Sequence, residues 1–494
     1  MSQLDIVLCI IPKLEPDAPT AGPAVLKSRL KAAGFGCEVM DLNIKLYNAL
    51  KKRDLHDRYF FEEDALFTAN DDYEPSAEFE EFYLGNREIF TGWIEELRVK
   101  NPRWVGMSLL SYLSRAVAVR LSELVREHMP GTGIVWGGAD AQDQIYKLKD
   151  RGLIDHWIRG DGEVSLVELL RGNTSSPGID SLATNQITDL EAGPMPDYDD
   201  IDWSEYPEIN WHKPIYVTGS KGCVKSCTFC NVYQTWPRFV YRSGNDIADE
   251  LLALRKAYDR RTFLFTDSLV NGSMRAFREM MARLRDAKQS GKNLSWSGQW
   301  IIRPKSQSPE SDYVMMKESG CKWLDIGLEH FSQDVRYHMG KRITDADMWH
   351  CLDMLQKHGI GHSLLMIVGY PTETEEDHAR TLETIRYLFD NGYAGRKNKD
   401  GFDFMSLAFT NTLMLEDKGP LWEMIKGEVR DYRGVHDWAY RDNTLDVRIR
   451  RFREIHDLIE QMRKRPVRNW YIERNRVLYE KKASGLIPVD GWTG

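Results

Sequence analysis

The chain has 494 residues, 42% hydrophobic and 29% charged, with 66 Lys and Arg against 75 Asp and Glu and a net charge of −9. This length exceeds one ordinary compact core and implies two or three domains; the composition excludes a disordered chain, and no apolar run is long enough to cross a bilayer. The acidic balance argues against broad, nonspecific binding to nucleic acid or anionic membranes, although it leaves a local basic patch open.

From the start to about residue 172, apolar runs alternate with amphipathic stretches, the pattern of an open, mostly parallel α/β sheet. Strands are expected at Leu4–Ile11, Cys37–Asp41, Trp104–Leu109, Gly133–Trp136 and His156–Ile158, with helices such as Pro23–Ala33 and Arg115–His128 between them. The apolar stretch Ile6–Ile11 follows an acidic residue and is too short for a signal peptide or anchor, so it reads as a buried strand, and a cytoplasmic location is expected. Residues 56–100, rich in acids and aromatics, interrupt the alternation and are expected to be a helical insertion.

The segment from Thr188 to Lys213 carries Pro194, Pro196, Asp197, Asp199, Asp200 and Pro207 with little periodicity, and reads as a linker. Strand and helix signals then alternate again. Ile215–Thr218, Thr262–Thr266, Leu294–Gln299, Trp323–Leu328, Ser363–Val368 and Phe402–Ala408 are six strand candidates, enough for a partial parallel barrel. In the last 80 or so residues, Leu445, Ile449, Phe452, Ile455, Ile459 and Met462 mark one long amphipathic helix. Arg441–Lys482 holds 13 basic against 7 acidic residues, read as a solvated helix face or, alternatively, a contact for an anionic ligand. The expected organisation is therefore an α/β chain: a Rossmann-like domain over 1–187, a linker over 188–213, a partial (β/α)6 TIM barrel over 214–415 and a mainly helical region over 416–494.

Seven cysteines in so long a chain are not a disulfide framework. Cys9, Cys37, Cys321 and Cys351 are scattered and read as small core residues, whereas Cys223, Cys227 and Cys230 share eight residues of one loop between a strand and a helix. Three thiolates at this spacing wrap a cubane cluster and leave its fourth iron without a protein ligand. That iron is free to chelate an amine and a carboxylate, which the amino acid end of S-adenosylmethionine supplies. A zinc site is the alternative; it requires a fourth ligand, for which His212 is the candidate close in sequence.

At Cys223, Cys227, Phe229 and Cys230 the chain resembles the radical S-adenosylmethionine (SAM) superfamily, whose motif has this spacing and an aromatic before the last cysteine. The resemblance implies a [4Fe-4S] cluster on the three cysteines, SAM as cofactor, a partial barrel with the motif after its first strand, and reductive cleavage of SAM to a 5′-deoxyadenosyl radical. It implies a one-electron reductant such as flavodoxin or ferredoxin as partner. It also places Phe229 beside the adenine and carries SAM contacts to the ends of later strands: Asp267, Gln299, Glu329 in Gly-Leu-Glu-His, and Gly369 in Gly-Tyr-Pro-Thr-Glu. Arg336 and Lys341 match the family pattern as partners for carboxylates. Thr372 and Thr374 with Glu375 and Glu376 read as a helix start.

The first domain resembles the cobalamin-binding domain that precedes the radical domain in one branch of the superfamily, through Pro23–Leu30, Asp41-Leu42-Asn43, Val105-Gly106-Met107-Ser108, Trp136-Gly137-Gly138 and Gly160-Asp161-Gly162-Glu163. Ser108, Ser111, Gly137, Gly138 and Glu163 are the candidates to face a corrin ring. The Asp-x-His-x-x-Gly cobalt-ligating signature is absent from the loop Lys13-Leu14-Glu15-Pro16-Asp17. The resemblance implies a cobalamin-dependent methyltransferase acting on an unactivated carbon of a small molecule or peptide rather than a nucleic acid. The alternatives are radical oxidation or rearrangement, with or without cobalamin, and a corrinoid- or redox-sensing binding protein. Methylthiotransfer fits poorly, since it needs three more cluster cysteines in a first domain that holds Cys9 and Cys37. Trp422, Trp438, Trp470 and Tyr471 read as core aromatics, or else as the lining of a substrate cavity.

Overall fold

The computed structural model describes residues 3–62, 64–140, 144–190, 193–207, 213–397 and 403–463; His212, Trp470, Tyr471 and the basic stretch beyond Arg463 lie outside them. The chain divides into two compact units, one built on residues up to 217 together with 250–264, the other on 218–249 and from 265 onward. Among the described residues no helix is long and apolar enough to cross a membrane.

The first unit opens with strand β1 (Ile6–Ile10), helix α1 (Ala21–Ala32), β2 (Cys37–Asp41) and α2 (Leu42–Lys51). The expected insertion follows as α3 (Ala77–Gly85) and α4 (Arg87–Lys100). Then come β3 (Trp104–Ser108), α5 (Arg115–His128), β4 (Gly133–Gly137), α6 (Tyr146–Asp150), β5 (His156–Ile158) and α7 (Gly162–Leu170). The five strands are parallel in the order β2-β1-β3-β4-β5. Both faces of this sheet are covered, which is why β1 reads as an unbroken apolar run: Val7, Cys9, Met107 and Trp136 join one core, Ile6, Leu8, Ile10 and Val135 the other. The strand order reverses between β1 and β3, and in open sheets of this kind the ligand crevice lies beyond the carboxyl ends at that switch point.

Within the segment expected as a linker, Asp197 and Asp200 pair with Lys27 of α1 at 3.0 and 2.6 Å, and Tyr198 is buried. Its proline and aspartate content hid this packing. The aspartates serve as partners for one buried ammonium rather than as a solvated tether.

The second sheet is formed by β6 (Ile215–Val217), β9 (Thr262–Phe265), β10 (Ser295–Trp300), β11 (Cys321–Glu329), β12 (Gly361–Val368) and β13 (Met405–Thr412), in the order β13-β12-β11-β10-β9-β6. Between β6 and β9 lie the two-residue strands β7 (Ser220–Lys221) and β8 (Val240–Tyr241), which pair antiparallel, with α8 (Val232–Thr235) between them and α9 (Gly244–Tyr258) after them. Helices α10 (Met274–Gln289), α11 (Glu310–Ser319), α12 (Gln333–His338), α13 (Asp345–His358) and α14 (Glu375–Asp390) connect the later strands. Their starts follow the sequence: Ser273 caps α10, Thr344 caps α13, and Thr374 with Asp377 forms a capping box on α14. The last strand runs to Thr412 rather than ending at Ala408, since Thr412 stays in register with Val368 through a polar Thr-Asn-Thr stretch that carries no apolar signal.

Side chains of this sheet alternate between a covered and an open face. Trp300, Ile326, Leu364 and Leu407 are buried against the helix layer, with Trp296 and Trp300 stacked edge-on against Phe277 of α10. The intervening residues Gln299, Asp325, Ser363 and Ser406 are exposed or partly exposed on the opposite face. The inner face is thus an accessible lumen, not the packed core of a complete barrel.

After β13 come α15 (Pro420–Ile425), a hairpin of β14 (Val429–Arg430) and β15 (Ala439–Tyr440), and α16 (Leu445–Arg463). The apolar stripe Ile449, Phe452, Ile455 and Ile459 is buried as the spacing predicts. Two arginines of the basic stretch are not solvated. Arg448 lies 3.7 Å over the Trp438 ring and bonds to three backbone carbonyls, and Arg451 binds Glu373 and Glu375. Trp438 is a core residue, in one apolar cluster with Tyr370, Leu413 and Leu421, against which Trp422 packs.

Candidate functional site

The three cysteines occupy the loop between β7 and α8. Asp267, at the end of β9, is buried and holds the entry to that loop: its carboxylate accepts from the Gly219 N–H at 2.9 Å and from the Ser220 hydroxyl at 2.6 Å. Burial pushes its acid up to about 6, against those bonds. Farther along, the Thr228 N–H donates to Met339 O at 3.0 Å, the Leu421 N–H donates to Thr228 O at 2.9 Å, and the Thr228 and Tyr370 hydroxyls bond at 2.9 Å. The loop is thus clamped by backbone from two other segments and by the Tyr370 hydroxyl.

Cys223 and Cys230 are partly exposed and Cys227 is buried, all three as free thiols. Burial pushes Cys227 up to about 11, Lys341 opposing and the two other cysteines adding to the rise. A bound metal charge would remove that cost, because thiolates are the ligating form. Among the described residues no three His, Cys, Asp or Glu side chains converge on a point that a single ion could occupy. The scattered cysteines behave as expected of core residues: Cys9, Cys37, Cys321 and Cys351 are buried.

Lys341 is the charged centre of the site. Its ammonium stands 2.8 Å from Glu329, donates to Gly327 O at 2.9 Å and lies 5.8 Å from the Phe229 ring centroid. Burial opposes its charge, yet Glu329 and the Cys227 and Cys223 thiols together hold it above its ordinary value. Glu329 itself sits at φ +71, where the register of β11 against β12 shifts. A non-glycine residue in that region is strained, and here the strained backbone turns a carboxylate toward the lysine.

The structure therefore brings together Cys223, Cys227, Phe229, Cys230, Glu329 and Lys341. It places other candidates differently. Gln299 lies on the open lumen face. Arg336 is buried with its guanidinium spent on His330 O, Phe331 O, Ile343 O and Asp345. Gly369, at φ +78, has its Cβ direction filled by Arg448, whose Cγ would be 2.3 Å away; its N–H donates to Glu373 at 2.6 Å. Glu373 is ringed by His330, His378 and Arg451 at 3.7, 3.9 and 3.6 Å. Sequence reading missed this ring, because its members are far apart in the chain and each is an ordinary polar residue by itself. It also missed Arg303, whose guanidinium bonds to Asn271 O and Gly272 O at 2.6 and 2.8 Å beside Cys223.

In the first unit, Ser108 ends β3, beside the switch point, and Gly137 ends the next strand, β4. Gly138 has φ +112, and a Cβ there would lie 2.2 Å from the Leu109 carbonyl oxygen, so only glycine permits this turn. Ser111 accepts from the Leu113 N–H at 3.2 Å, and Glu163 opens α7.

Residues 217–385 match the model of the Radical SAM superfamily. The chain carries a radical SAM domain. An uncharacterized methyltransferase of Pyrococcus horikoshii is 25% identical over 263 residues, 50% of this chain and 56% of its own length. A ribosomal protein uS12 methylthiotransferase RimO of Porphyromonas gingivalis is 28% identical over 180 residues, 35% of this chain and 40% of its own. The chain thus spans only about half the length of the curated relatives it matches. Among solved structures, the radical SAM methyltransferase TsrM from Kitasatospora setae, with tryptophan substrate and a SAM analog bound, has a TM-score of 0.60 at 16% identity, covering 86% of this chain and 76% of TsrM. The cobalamin-dependent radical enzyme OxsB has a TM-score of 0.60 at 13% identity, covering 86% and 61%. At such identities the similarity is one of fold, and it extends beyond the radical SAM domain.

Proposed function

We propose that the protein is a cobalamin-dependent radical SAM methyltransferase acting on an unactivated carbon. In this reading Cys223, Cys227 and Cys230 hold a [4Fe-4S] cluster, and residues 1–187 form the corrinoid-binding domain, 188–213 the linker, 214–415 the catalytic barrel and 416–494 the C-terminal region. When bound, the cluster supplies the electron that cleaves SAM, and cobalamin supplies the methyl group. The observation that carries the reading is the setting of the thiols: three cysteines on one clamped loop with the buried Lys341 ammonium beside them. Thiolates that each take a different iron suit a cluster better than a tetrahedral zinc.

The chain's own residues have distinct tasks. Lys341 offsets the negative charge of thiolates and holds Glu329 in place, and Glu329 offers lone pairs to a SAM hydroxyl or ammonium. Phe229 presents an apolar ring to the adenine. Asp267 positions the loop from behind, with both carboxylate oxygens already occupied. Arg336 shapes the turn after β11 through three carbonyls. In the first unit, Ser108, Ser111, Gly137 and Gly138, at or just beyond the carboxyl ends of β3 and β4, are assigned to the face of the corrin ring, together with Glu163 of α7. The fold of the TsrM and OxsB structures supports this use of the first unit.

Anaerobic reconstitution with iron, sulfide and dithionite tests the proposal. About four irons and four sulfides per chain are expected, together with SAM-dependent 5′-deoxyadenosine, and hydroxocobalamin should co-elute with the protein. Zinc without sulfide would overturn the cluster, and a chain that forms deoxyadenosine but retains no corrinoid would overturn the cobalamin assignment alone.

A further inference from the structure

We propose that Asp325, with Ser363 and Gln299 beside it, forms a subsite in the barrel lumen that recognises a protonated amine on the substrate. The inference rests on the enzymatic reading above for its purpose, and on the lumen geometry for its substance. Gln299 of β10 is in register with Asp325 of β11, Asp325 with Ser363 of β12, and Ser363 with Ser406 of β13. These four polar residues make one transverse row on the open face of the sheet, where filled barrels carry bulky apolar side chains. The adjacent row, Trp300, Ile326, Leu364 and Leu407, is wholly apolar and buried on the other face. Register and pleat together therefore confine the polarity to the lumen.

Asp325 is the charge in this row. Its carboxylate accepts from the Trp323 indole N–H at 3.1 Å and from the Ser363 hydroxyl, and the indole also lies 3.2 Å from that hydroxyl. An ionised carboxylate offers up to about four lone-pair sites, so acceptor capacity is left over. Among the described residues no cationic side chain pairs with it. Burial holds Asp325 above its ordinary value, the bonds from Trp323 and Ser363 opposing; a cation beside it would restore the charged form.

Asp325 lies four residues before Glu329, roughly 13 Å along the strand. An amine held there is remote from the SAM end of the barrel. The substrate class is therefore an elongated molecule whose cationic group anchors one end while the reacting carbon lies at the other.

The test uses the reconstituted full-length protein and three probes of matched shape: phenethylamine, phenethyl alcohol and phenylacetate. Binding is read by saturation-transfer NMR. The amine should bind, the alcohol and the carboxylate should not, and Asp325→Asn should weaken the amine by about tenfold or more, as for loss of a charge-assisted hydrogen bond. Cluster absorbance and a thermal melt report whether the variant folds. Should it fail to fold, Ser363→Ala, which keeps the carboxylate, is expected to weaken the amine by roughly two- to fivefold, the effect of losing one neutral hydrogen bond. Equal binding of all three probes, binding of none, or amine binding untouched by these substitutions would overturn the proposal. Failure of the wild-type protein to form deoxyadenosine is read separately and strikes the enzymatic reading instead.

Discussion

The Lys341 ammonium and the Glu329 carboxylate meet at 2.8 Å, with both residues at least nine-tenths buried. Neither partner is comfortable alone, since an unpaired buried charge is costly. Lys341→Met should therefore destabilise the protein by about 3–5 kcal/mol, whereas Glu329→Gln, which keeps a hydrogen-bond acceptor, should cost less. Chemical denaturation of the metal-free protein measures both. Deoxyadenosine formation should fall in each variant, and a Lys341→Met protein of wild-type stability would show that the pair contributes nothing to the fold.

Gly369 and Arg448 form a second coupled pair, because the arginine side chain fills the space where a Cβ would stand. Gly369→Ala adds a methyl group there and strains a backbone at φ +78, for a cost of about 1–3 kcal/mol. In a Gly369→Ala, Arg448→Ala double variant the steric part vanishes while the backbone part remains. A double-mutant cycle on denaturation midpoints should show less than additive loss; strict additivity would mean that the two residues do not meet.

Asp41 makes the stability of the protein depend on pH. Burial pushes its acid up to about 6 from 3.8, against bonds from Tyr206 and the Ile44 N–H. The folded state thus holds a proton that the unfolded chain releases, so this group's contribution is full below about pH 4 and is lost as pH rises through about 6, roughly 3 kcal/mol in total. Asp41→Asn retains a good helix cap and cannot titrate. Unfolding free energies at about pH 4 and about pH 7 should differ less in the variant than in the parent by up to that amount. An unchanged difference would contradict the burial effect.

Thiol reactivity should sort the seven cysteines. Cys223 and Cys230 are partly exposed, while Cys9, Cys37 and Cys351 are buried and pushed up to about 12 by desolvation. Since the thiolate is the nucleophile, iodoacetamide should label Cys223 and Cys230 of the native metal-free protein first. Reconstitution with iron and sulfide should then block that labelling. Peptide mass spectrometry reads the order, and early modification of Cys9 or Cys351 would contradict the packing.

Local patterns carried much of this in the sequence. The apolar run of β1, the cap Thr374 and the stripe Ile449, Phe452, Ile455 and Ile459 are set by short-range preferences for burial and backbone bonding, and they stand where periodicity puts them. The cysteine loop was equally plain, since three thiols in one turn leave few chemical readings. The partial barrel followed from alternation alone, though its last strand extended through polar residues that only pairing with β12 could stabilise.

Side-chain destinations were another matter. Asp267 and Gly369 follow strand ends and Arg336 lies in α12, where the sequence pattern puts site residues, yet what each one touches depends on residues brought from elsewhere: Ser220 and Gly219, Arg448, Asp345 and Ile343. The ring around Glu373 joins three elements whose polar members are unremarkable one by one. Asp325 gains its meaning only from parallel register, which sets it between Gln299 and Ser363 on the open face. The sequence alone determined the elements and the cysteine loop, because hydrophobic period and thiol spacing act over a few residues. Charge pairing, steric filling and the polarity of the lumen were decided by the tertiary fold, because they arise between residues that the chain keeps far apart until it closes.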